Sequence, residues 1–425
     1  SARIVDVVTT RLIEDLDRAG YRGRHLDPFD GALAVLLARP ASPGRTEAVV
    51  RWSQRRKAAA LALATAGAEN GSRYQRSLRQ LQRALGPEDA LLDYLVLPVS
   101  VAVVVITHRT ARVIPLPVEP DSLRIWAGRL RQPLQAVYAG NVDLARAPFD
   151  LAIAHRLYES LLRPLESVLV GCNRLAIVPD GALQLIPFAA LVSQMPPEGH
   201  SYADARYLID TAEVRYLPSS QFLDAAGGGP AAPLRMLAVL ETAPGAEREV
   251  ALLRAALGPG HVDVIAGAEA TRSRVLSAGA HYPVLHFAVH AVADGRDPLA
   301  SHLRLAADST SEGFLQLNEI AHTGWHARLV VLSACETLQG PAYNGEGMLS
   351  LARAFLEGGA ATVVATAWPV GPTTADVMGG FYRRLAAGNT PAAALRGSQL
   401  ALRHSAATSH PFYWAGFATI EGRVQ

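Results

Sequence analysis

A chain of 425 residues exceeds one ordinary domain of about 100 to 200 residues, so we expect two or three domains. Half of the residues are hydrophobic and 18% are charged, which excludes a largely disordered protein. The formal net charge of +2 excludes a global field that would attract nucleic acid or a membrane.

Residues 1–90 carry a helical pattern. Apolar residues recur at spacings of three and four, as at Val7, Leu12 and Leu16, which predicts two to four amphipathic helices. The arginine-rich stretch 51–57 is interpreted as a solvated helix face rather than a nucleic-acid surface, because glutamates and apolar residues interleave such stretches. Lys57 is the only lysine, and every other basic residue of the Lys and Arg class is arginine. This preference indicates GC-rich codons, which suggests a bacterial source.

Residues 91–225 are predicted to form an α/β unit. The expected elements are β-branched strands at 101–107 and 112–116, a helix at 151–169, and a strand at 174–178. The last strand ends in Pro179-Asp180-Gly181, a tight-turn signal. This region contains no catalytic constellation, and Cys172 has no local base or ligand set, which favours a structural thiol.

Residues 226–425 form the third predicted region. It opens with a linker rich in alanine, glycine and proline, at 225–233, and then alternates between strands and helices. The predicted strands are 235–240, 262–265, 283–290, 328–333 and 361–367. The predicted helices are 246–257, 270–278 and 347–356, with two more that begin near residues 373 and 391. Near-continuous apolar strands separated by helices predict a mostly parallel sheet covered on both faces.

Two residues of this region carry the expected chemistry. His290 is predicted to end one strand, and Cys335 follows another, where functional residues of parallel sheets gather. A thiol needs a neighbouring imidazole that accepts its proton and later protonates the leaving amine. His286 lies on the same strand about 13 Å away, too far to share a metal ion with His290, so we expect no metal site and no cofactor.

The residues around this pair resemble the CHAT domains of the caspase and separase clan. The matching segments are Leu285-His286-Phe287-Ala288-Val289-His290, Leu332-Ser333-Ala334-Cys335-Glu336-Thr337, Trp368-Pro369-Val370 and His410-Pro411-Phe412-Tyr413-Trp414. The likeness spans about residues 151–421. It implies a caspase-like three-layer α/β sandwich, preceded by an inactive protease-like α/β domain and by the N-terminal helices.

The resemblance further implies peptide-bond hydrolysis, with Cys335 as nucleophile and His290 as general base and acid. The backbone amides of Ala291 and Cys335 would hold the oxyanion, although the family usually has glycine where Ala291 stands. Candidate substrate-pocket residues are Glu336, Glu346, Trp368 and Asp376. The loop after Val370 lacks the family's usual aspartate, so a small or apolar P1 residue is as plausible as a basic one.

Two functions remain open from the sequence. One is an endopeptidase that cuts a specific protein partner when triggered, as in bacterial defence, with the N-terminal helices receiving a regulatory protein. The other is a catalytically inert interaction module of the same fold.

The predicted location is the cytoplasm, because two cysteines form no disulfide framework and no signal segment opens the chain. The longest apolar stretch, residues 94–107, is too short and too interrupted for a membrane helix, which needs about 20 residues. We therefore expect neither a membrane nor a nucleic acid as a direct partner.

Overall fold

The computed structural model describes residues 27–57, 75–138, 147–198, 201–223, 234–241, 246–292, 301–309, 311–333, 342–343, 347–348, 351–368 and 373–422. Cys335, Glu336 and Glu346 lie outside the described residues. Within the predicted helical region, residues 1–26 and 58–74 also lie outside them. The linker at 225–233 does so as well.

The first part of the chain places three helices before a strand-rich region. Its elements are α1 Asp27–Leu37, α2 Pro43–Arg56, α3 Leu78–Ala84, β1 Asp89–Leu97, β2 Ser100–Thr107, β3 Ala111–Leu116, α4 Pro120–Tyr138, α5 Leu151–Leu161, β4 Arg174–Val178, β5 Val192–Gln194, β6 Arg206–Tyr207, α6 Leu208–Thr211 and β7 Glu213–Tyr216.

The second part alternates strands with helices, as its sequence predicts. Its elements are β8 Met236–Leu240, α7 Ala246–Leu257, β9 Val262–Ala266, α8 Arg272–Gly279, β10 Val284–Ala288, β11 Ala291–Val292, β12 His302–Arg304, β13 Phe314–Gln316, α9 Leu317–His322, β14 Leu329–Leu332, β15 Ala342–Tyr343, β16 Gly347–Met348, α10 Leu351–Glu357, β17 Thr362–Thr366, α11 Thr374–Ala386, α12 Pro391–Arg403 and β18 Phe417–Glu421.

Two predicted helices have different bounds in the structure. The helix predicted at 151–169 ends at Leu161, because Pro164 lacks a backbone N–H and disfavours helical geometry before it. The helix predicted at 347–356 begins only at Leu351, and Gly347–Met348 is instead a short strand paired with Ala342–Tyr343. Glycine at the predicted start is a poor helix former.

One sheet of 11 strands runs through both parts, in the order β3-β2-β1-β4-β7-β18-β17-β14-β10-β8-β9. Five consecutive strands are parallel to one another, in the order β9-β8-β10-β14-β17. The next strand, β18, is antiparallel to β17. Strand β18 is parallel to β7, which is parallel to β4. The two sets of parallel strands therefore run in opposite directions. Their carboxyl ends lie on opposite sides of the sheet, measured along the strand axis.

Helices cover both faces of the second half of this sheet. Alternate residues of β10 and β14 belong to different cores, Val284 and Val331 to one, and Leu285 and Val330 to the other. The first core also contains residues of α7, α11 and α12, and the second contains residues of α8, α9 and α10. The predicted layered α/β fold with a mostly parallel sheet is confirmed. The central strands are mostly apolar because both of their faces are buried.

The end of helix α2 places buried charges beside the carboxyl end of β4, so the solvated helix face predicted for 51–57 is wrong at Arg56 and Lys57. Arg56 lies 2.8 Å from Asp30 and 2.6 Å from Asp180, and Lys57 lies 2.7 Å from Asp93. Burial alone would raise the pKa of Asp180, but the charges of Arg56 and Lys57 outweigh burial and lower it. The carboxylate is therefore ionised at neutral pH.

None of the helices in the described ranges is both long and apolar enough to cross a membrane.

His410 packs between the two parts of the chain. Its Nδ1 accepts a hydrogen bond from the backbone N–H of Phe412 at 3.0 Å, and its ring meets that of Tyr202 edge to face. Burial lowers the pKa of His410 to about 4, although a backbone hydrogen bond with Ala147 acts in the opposite direction. An unfolded histidine has a pKa of about 6.5, so the unfolded chain binds a proton first as the pH falls.

Replacement of Arg56 by leucine should lower the free energy of unfolding by about 3 kcal/mol at pH 7, because it leaves Asp180 buried without its cation. The deficit should narrow as the pH falls, because burial favours the protonated form of Asp180 once Arg56 is absent, so the variant binds a proton at a higher pH than the wild type does. Urea unfolding at several pH values measures it. Arg51→Leu, on the exposed face of α2, is the control and should change the free energy by less than about 0.5 kcal/mol.

The wild-type free energy of unfolding should decline between about pH 6.5 and pH 4 by up to about 3 kcal/mol on account of His410. His410→Asn retains an acceptor for Phe412 and should flatten this part of the profile. The matched variant His404→Asn replaces an exposed histidine and should keep the wild-type slope. If the free energy of unfolding had the same pH dependence in all three proteins, its decline could not be attributed to His410.

Candidate active site

His290 lies just beyond the carboxyl end of β10. The strand ends at Ala288, two residues earlier than the sequence predicts, and the short strand β11 begins at Ala291. The imidazole is about half exposed, with 55% of its side-chain surface accessible. Its position is the one from which a side chain reaches into the space beyond a parallel sheet.

Glu241, which the sequence analysis did not identify, holds His290. Its Oε1 lies 3.3 Å from Nε2 of the imidazole, and its Oε2 accepts the backbone N–H of His290 at 3.3 Å. The backbone N–H of Glu241 donates to the carbonyl of Ala288 at 3.2 Å. A carboxylate at Nε2 favours the tautomer with its proton there, which leaves the Nδ1 lone pair free to accept a proton. The signal in the sequence was a carboxylate directly after β8, the strand beside β10.

Ala291 begins the small sheet that follows His290. It pairs with Leu303, and the carbonyl of His290 accepts the N–H of Arg304 at 2.8 Å. Among the described residues only His326 adopts a positive φ without being glycine. Ala291 therefore does not need the left-handed backbone that would favour glycine at this position.

Strand β14 pairs with β10 in parallel and leads toward Cys335. Each paired residue of β10 lies beside the residue 45 positions later, from Val284 with Leu329 to Phe287 with Leu332. Ser333 follows the strand directly and is the last described residue before the cysteine. The two strands lie in the middle of the second half of the sheet, buried on both faces.

A buried polar cluster lies between these two strands and the helices behind them. Oε1 of Glu249, on α7, accepts a hydrogen bond from Ser333 Oγ at 2.9 Å and lies 3.0 Å from Nε2 of His286. Nδ1 of His286 lies 3.2 Å from the hydroxyl of Tyr382, on α11. Burial raises the pKa of Tyr382 well above its usual value, and the charge of Glu249 raises it further.

Glu249 is ionised in spite of its burial. Burial alone would raise its pKa, but the contacts with His286 and Ser333 outweigh burial and lower it. A buried carboxylate is tolerated where hydrogen-bond donors satisfy it, and both donors are present here. Both ring nitrogens of His286 thus lie within a polar cluster, next to Glu249 and Tyr382.

Two of the four predicted pocket residues are described. Trp368 is fully buried, and its Nε1 donates to the carbonyl of Phe412 at 3.0 Å. Asp376, in the first turn of α11, is half exposed and lies 2.6 Å from Arg248. No contact recorded among the described residues joins either one to His290, and their role in a substrate pocket remains a prediction.

The remaining candidates for other chemistry are sparse in the described part of the chain. It contains no group of three or more histidine, cysteine, aspartate or glutamate residues arranged to hold a metal ion. The half-buried thiol of Cys172 lies 3.7 Å from the carbonyl of Asp89. Burial and the charge of Asp89 raise the pKa of this thiol, which disfavours the reactive thiolate.

Comparison with known families identifies this arrangement. A model of the CHAT domain matches residues 151–423, well over half of the chain. The chain belongs to the CHAT domain family. The predicted family is confirmed, and His290 and Cys335 both fall within the CHAT domain.

Two longer vertebrate proteins are similar in sequence to this chain. Tetratricopeptide repeat protein 28 of Mus musculus is 28% identical over 329 residues, and that of Homo sapiens is 28% identical over 330 residues. Each match covers 63% of this chain but only 13% of the relative. The chain thus corresponds to a small part of these longer proteins.

Solved structures confirm the predicted caspase-like fold. Separase in two crystal structures of the Saccharomyces cerevisiae separase-securin complex, at 2.6 and 3.0 Å resolution, superposes with a TM-score of 0.56. The superposition covers 89% of this chain and 34% of the separase chain at 9% identity. At that identity the likeness concerns the fold alone, and it extends across both parts of the 11-stranded sheet.

Proposed function

We propose that the chain is a cysteine endopeptidase that cleaves a specific protein through a thioester acyl-enzyme. Cys335 acts as the nucleophile, and His290 acts as general base and then general acid. Glu241 orients the imidazole. The carboxylate that the sequence did not reveal thus becomes the third member of the catalytic group.

The register of β10 and β14 is the observation that supports this proposal most strongly. The offset of 45 residues that pairs Val284 with Leu329 also relates His290 to Cys335. Neighbouring strands lie about 4.8 Å apart, so a continued offset would bring the thiol within reach of the imidazole. The free Nδ1 of His290, opposite the nitrogen that faces Glu241, is the atom that would accept the thiol proton.

The proposed reaction conserves its protons within the pair. Nδ1 takes the proton of Cys335, and the thiolate attacks the carbonyl carbon of the scissile peptide. The imidazolium then gives the proton to the leaving amine, and a thioester remains on the cysteine. Water attacks the thioester, loses a proton to the same nitrogen and releases the new carboxyl terminus as the thiol is restored.

The backbone amides of Ala291 and Cys335 would stabilise the oxyanion of the tetrahedral intermediate. An alanine amide donates a hydrogen bond as well as a glycine amide does. The backbone of Ala291 has no left-handed conformation that alanine would strain. The departure from the family's glycine is therefore compatible with catalysis.

We assign residues 91–225 to an inactive protease-like domain and residues 1–90 to a helical regulatory region. The buried ion pairs of Arg56 with Asp180 and of Lys57 with Asp93 lie at the carboxyl end of β4. A protein partner on the N-terminal helices would trigger cleavage in a bacterial response such as defence. The repeats named in the vertebrate relatives and the securin bound to separase support a protein partner.

The substrate pocket is proposed to include Glu336, Glu346, Trp368 and Asp376. Because Arg248 already neutralises Asp376, this carboxylate supports a basic P1 residue weakly. A small or apolar P1 residue is equally compatible with the proposal.

A thiol-reactive peptide electrophile should label Cys335 stoichiometrically in the wild type. The rate should fall at least about 100-fold in His290→Ala, because general-base catalysis contributes factors of this size. Mass spectrometry of the labelled peptide measures the rate, and Cys335→Ala supplies the blank. A candidate substrate should be cut by the wild type and left intact by Cys335→Ala.

Cys172 provides the internal control, since its thiol should be labelled slowly and independently of His290. Equal labelling of Cys335 in the wild type and in His290→Ala would contradict the protease. That outcome would favour the inert interaction module of the same fold.

Glu241→Gln should slow the labelling of Cys335 at least about tenfold, since the amide no longer stabilises the imidazolium. The matched variant Glu247→Gln removes an exposed carboxylate of α7 and should keep the wild-type rate. Labelling rates of both variants, followed from pH 5 to 9, measure the effect. Identical profiles would show that the contact between Glu241 and His290 has no catalytic consequence.

A further inference from the structure

Four side chains from four elements form the polar cluster between the strands that lead to His290 and Cys335. Ser333, Glu249, His286 and Tyr382 come from the end of β14, from α7, from β10 and from α11. Glu249 is the centre of the cluster, because both Ser333 and His286 contact its Oε1 at 2.9 and 3.0 Å. Tyr382 contacts only the far side of His286 in this chain of contacts.

Stability alone is a weak reason for such a cluster. Buried ionic groups can often be replaced by well-packed apolar residues of similar volume with no loss of stability, because their desolvation offsets their attraction. Glu249 is only 7% exposed and His286 is fully buried. The better-supported use of buried ionic groups is to specify one geometry among several.

The geometry that this cluster specifies is that of the chain just before the nucleophile. Ser333 precedes Cys335 by two residues, a length of chain that spans at most about 7 Å. The hydrogen bond from its hydroxyl to Glu249 ties this point of the backbone to α7. The contact of Glu249 with His286 ties the same point to the strand that ends before His290.

We propose that Glu249 is a positioning residue. It fixes Ser333, and through it Cys335, relative to β10, the strand that leads to His290. This inference rests on the proposed function. Attack by a thiolate requires near-contact geometry, and a displacement of about 1 Å can lower a rate about 100-fold. Loss of the link should therefore slow the chemical step without weakening the binding of a peptide.

Ser333→Ala tests the link, because it removes one hydroxyl and leaves the contact of Glu249 with His286. The probes are two peptidyl chloromethyl ketones, with leucine or arginine at P1. The maximal rate of Cys335 alkylation should fall about tenfold or more, and the half-saturating concentration should stay within twofold. Ser333→Thr retains the hydroxyl and should recover most of the rate.

Tyr382→Phe is the matched control, since it removes one hydroxyl from the opposite end of the cluster and leaves Ser333 and Glu249 joined. Its alkylation rate should stay within twofold of wild type, while both variants lower the melting temperature by a similar few degrees. Equal rates in Ser333→Ala and Tyr382→Phe would overturn the inference. A loss in Ser333→Ala confined to the half-saturating concentration would do the same.

The wild type and His290→Ala separate this inference from the proposed function. If alkylation of Cys335 does not depend on His290, the protease fails and the positioning role fails with it. If alkylation depends on His290 but is unaffected by Ser333→Ala, the protease stands and the positioning role alone is wrong.

Discussion

The parallel pairing of β10 with β14 is the constraint on which the candidate site depends. Both strands are buried on both faces and are apolar except for His286, so a shift of one residue would move each side chain to the wrong face of the sheet. Packing therefore fixes the register, and the register fixes which residues leave the sheet side by side. The chemistry at the edge follows from the hydrophobic core beneath it.

One continuous sheet presents two edges with different chemistry. The reversal between β17 and β18 turns the carboxyl ends of β1, β4 and β7 away from those of β8, β10 and β14. The buried ion pairs of Arg56 and Lys57 lie at the first of these ends, beside a pocket lined by Pro179, Leu217 and Pro218. The second end carries the half-exposed His290. The two ends of one sheet thus differ in chemistry, one with buried charges beside a pocket and the other with an exposed imidazole.

Two carboxylates from the segment around the start of α7 accompany the two histidines of the β10 segment. Glu241 contacts His290 at the exposed end, and Glu249 contacts His286 in the interior. In the proposed mechanism the exposed pair acts on the imidazole that accepts the thiol proton, and the buried pair acts on the backbone that leads to the nucleophile. Strand β8 and helix α7 pack beside β10 and bring these residues together, although about 40 to 50 residues separate each pair in the sequence.

The sequence by itself determined the family and the alternation of strands and helices, and it proposed the pair His290 and Cys335, because apolar periodicity and local motifs depend on neighbours along the chain. It misplaced the starts and ends of elements beside Pro164 and Gly347, and it passed over Glu241 and Glu249. Only the tertiary structure decided these, since a carboxylate becomes part of a site through contacts between distant segments. Contacts between distant segments also decide the order of the strands, the direction of β18 and the burial of Arg56.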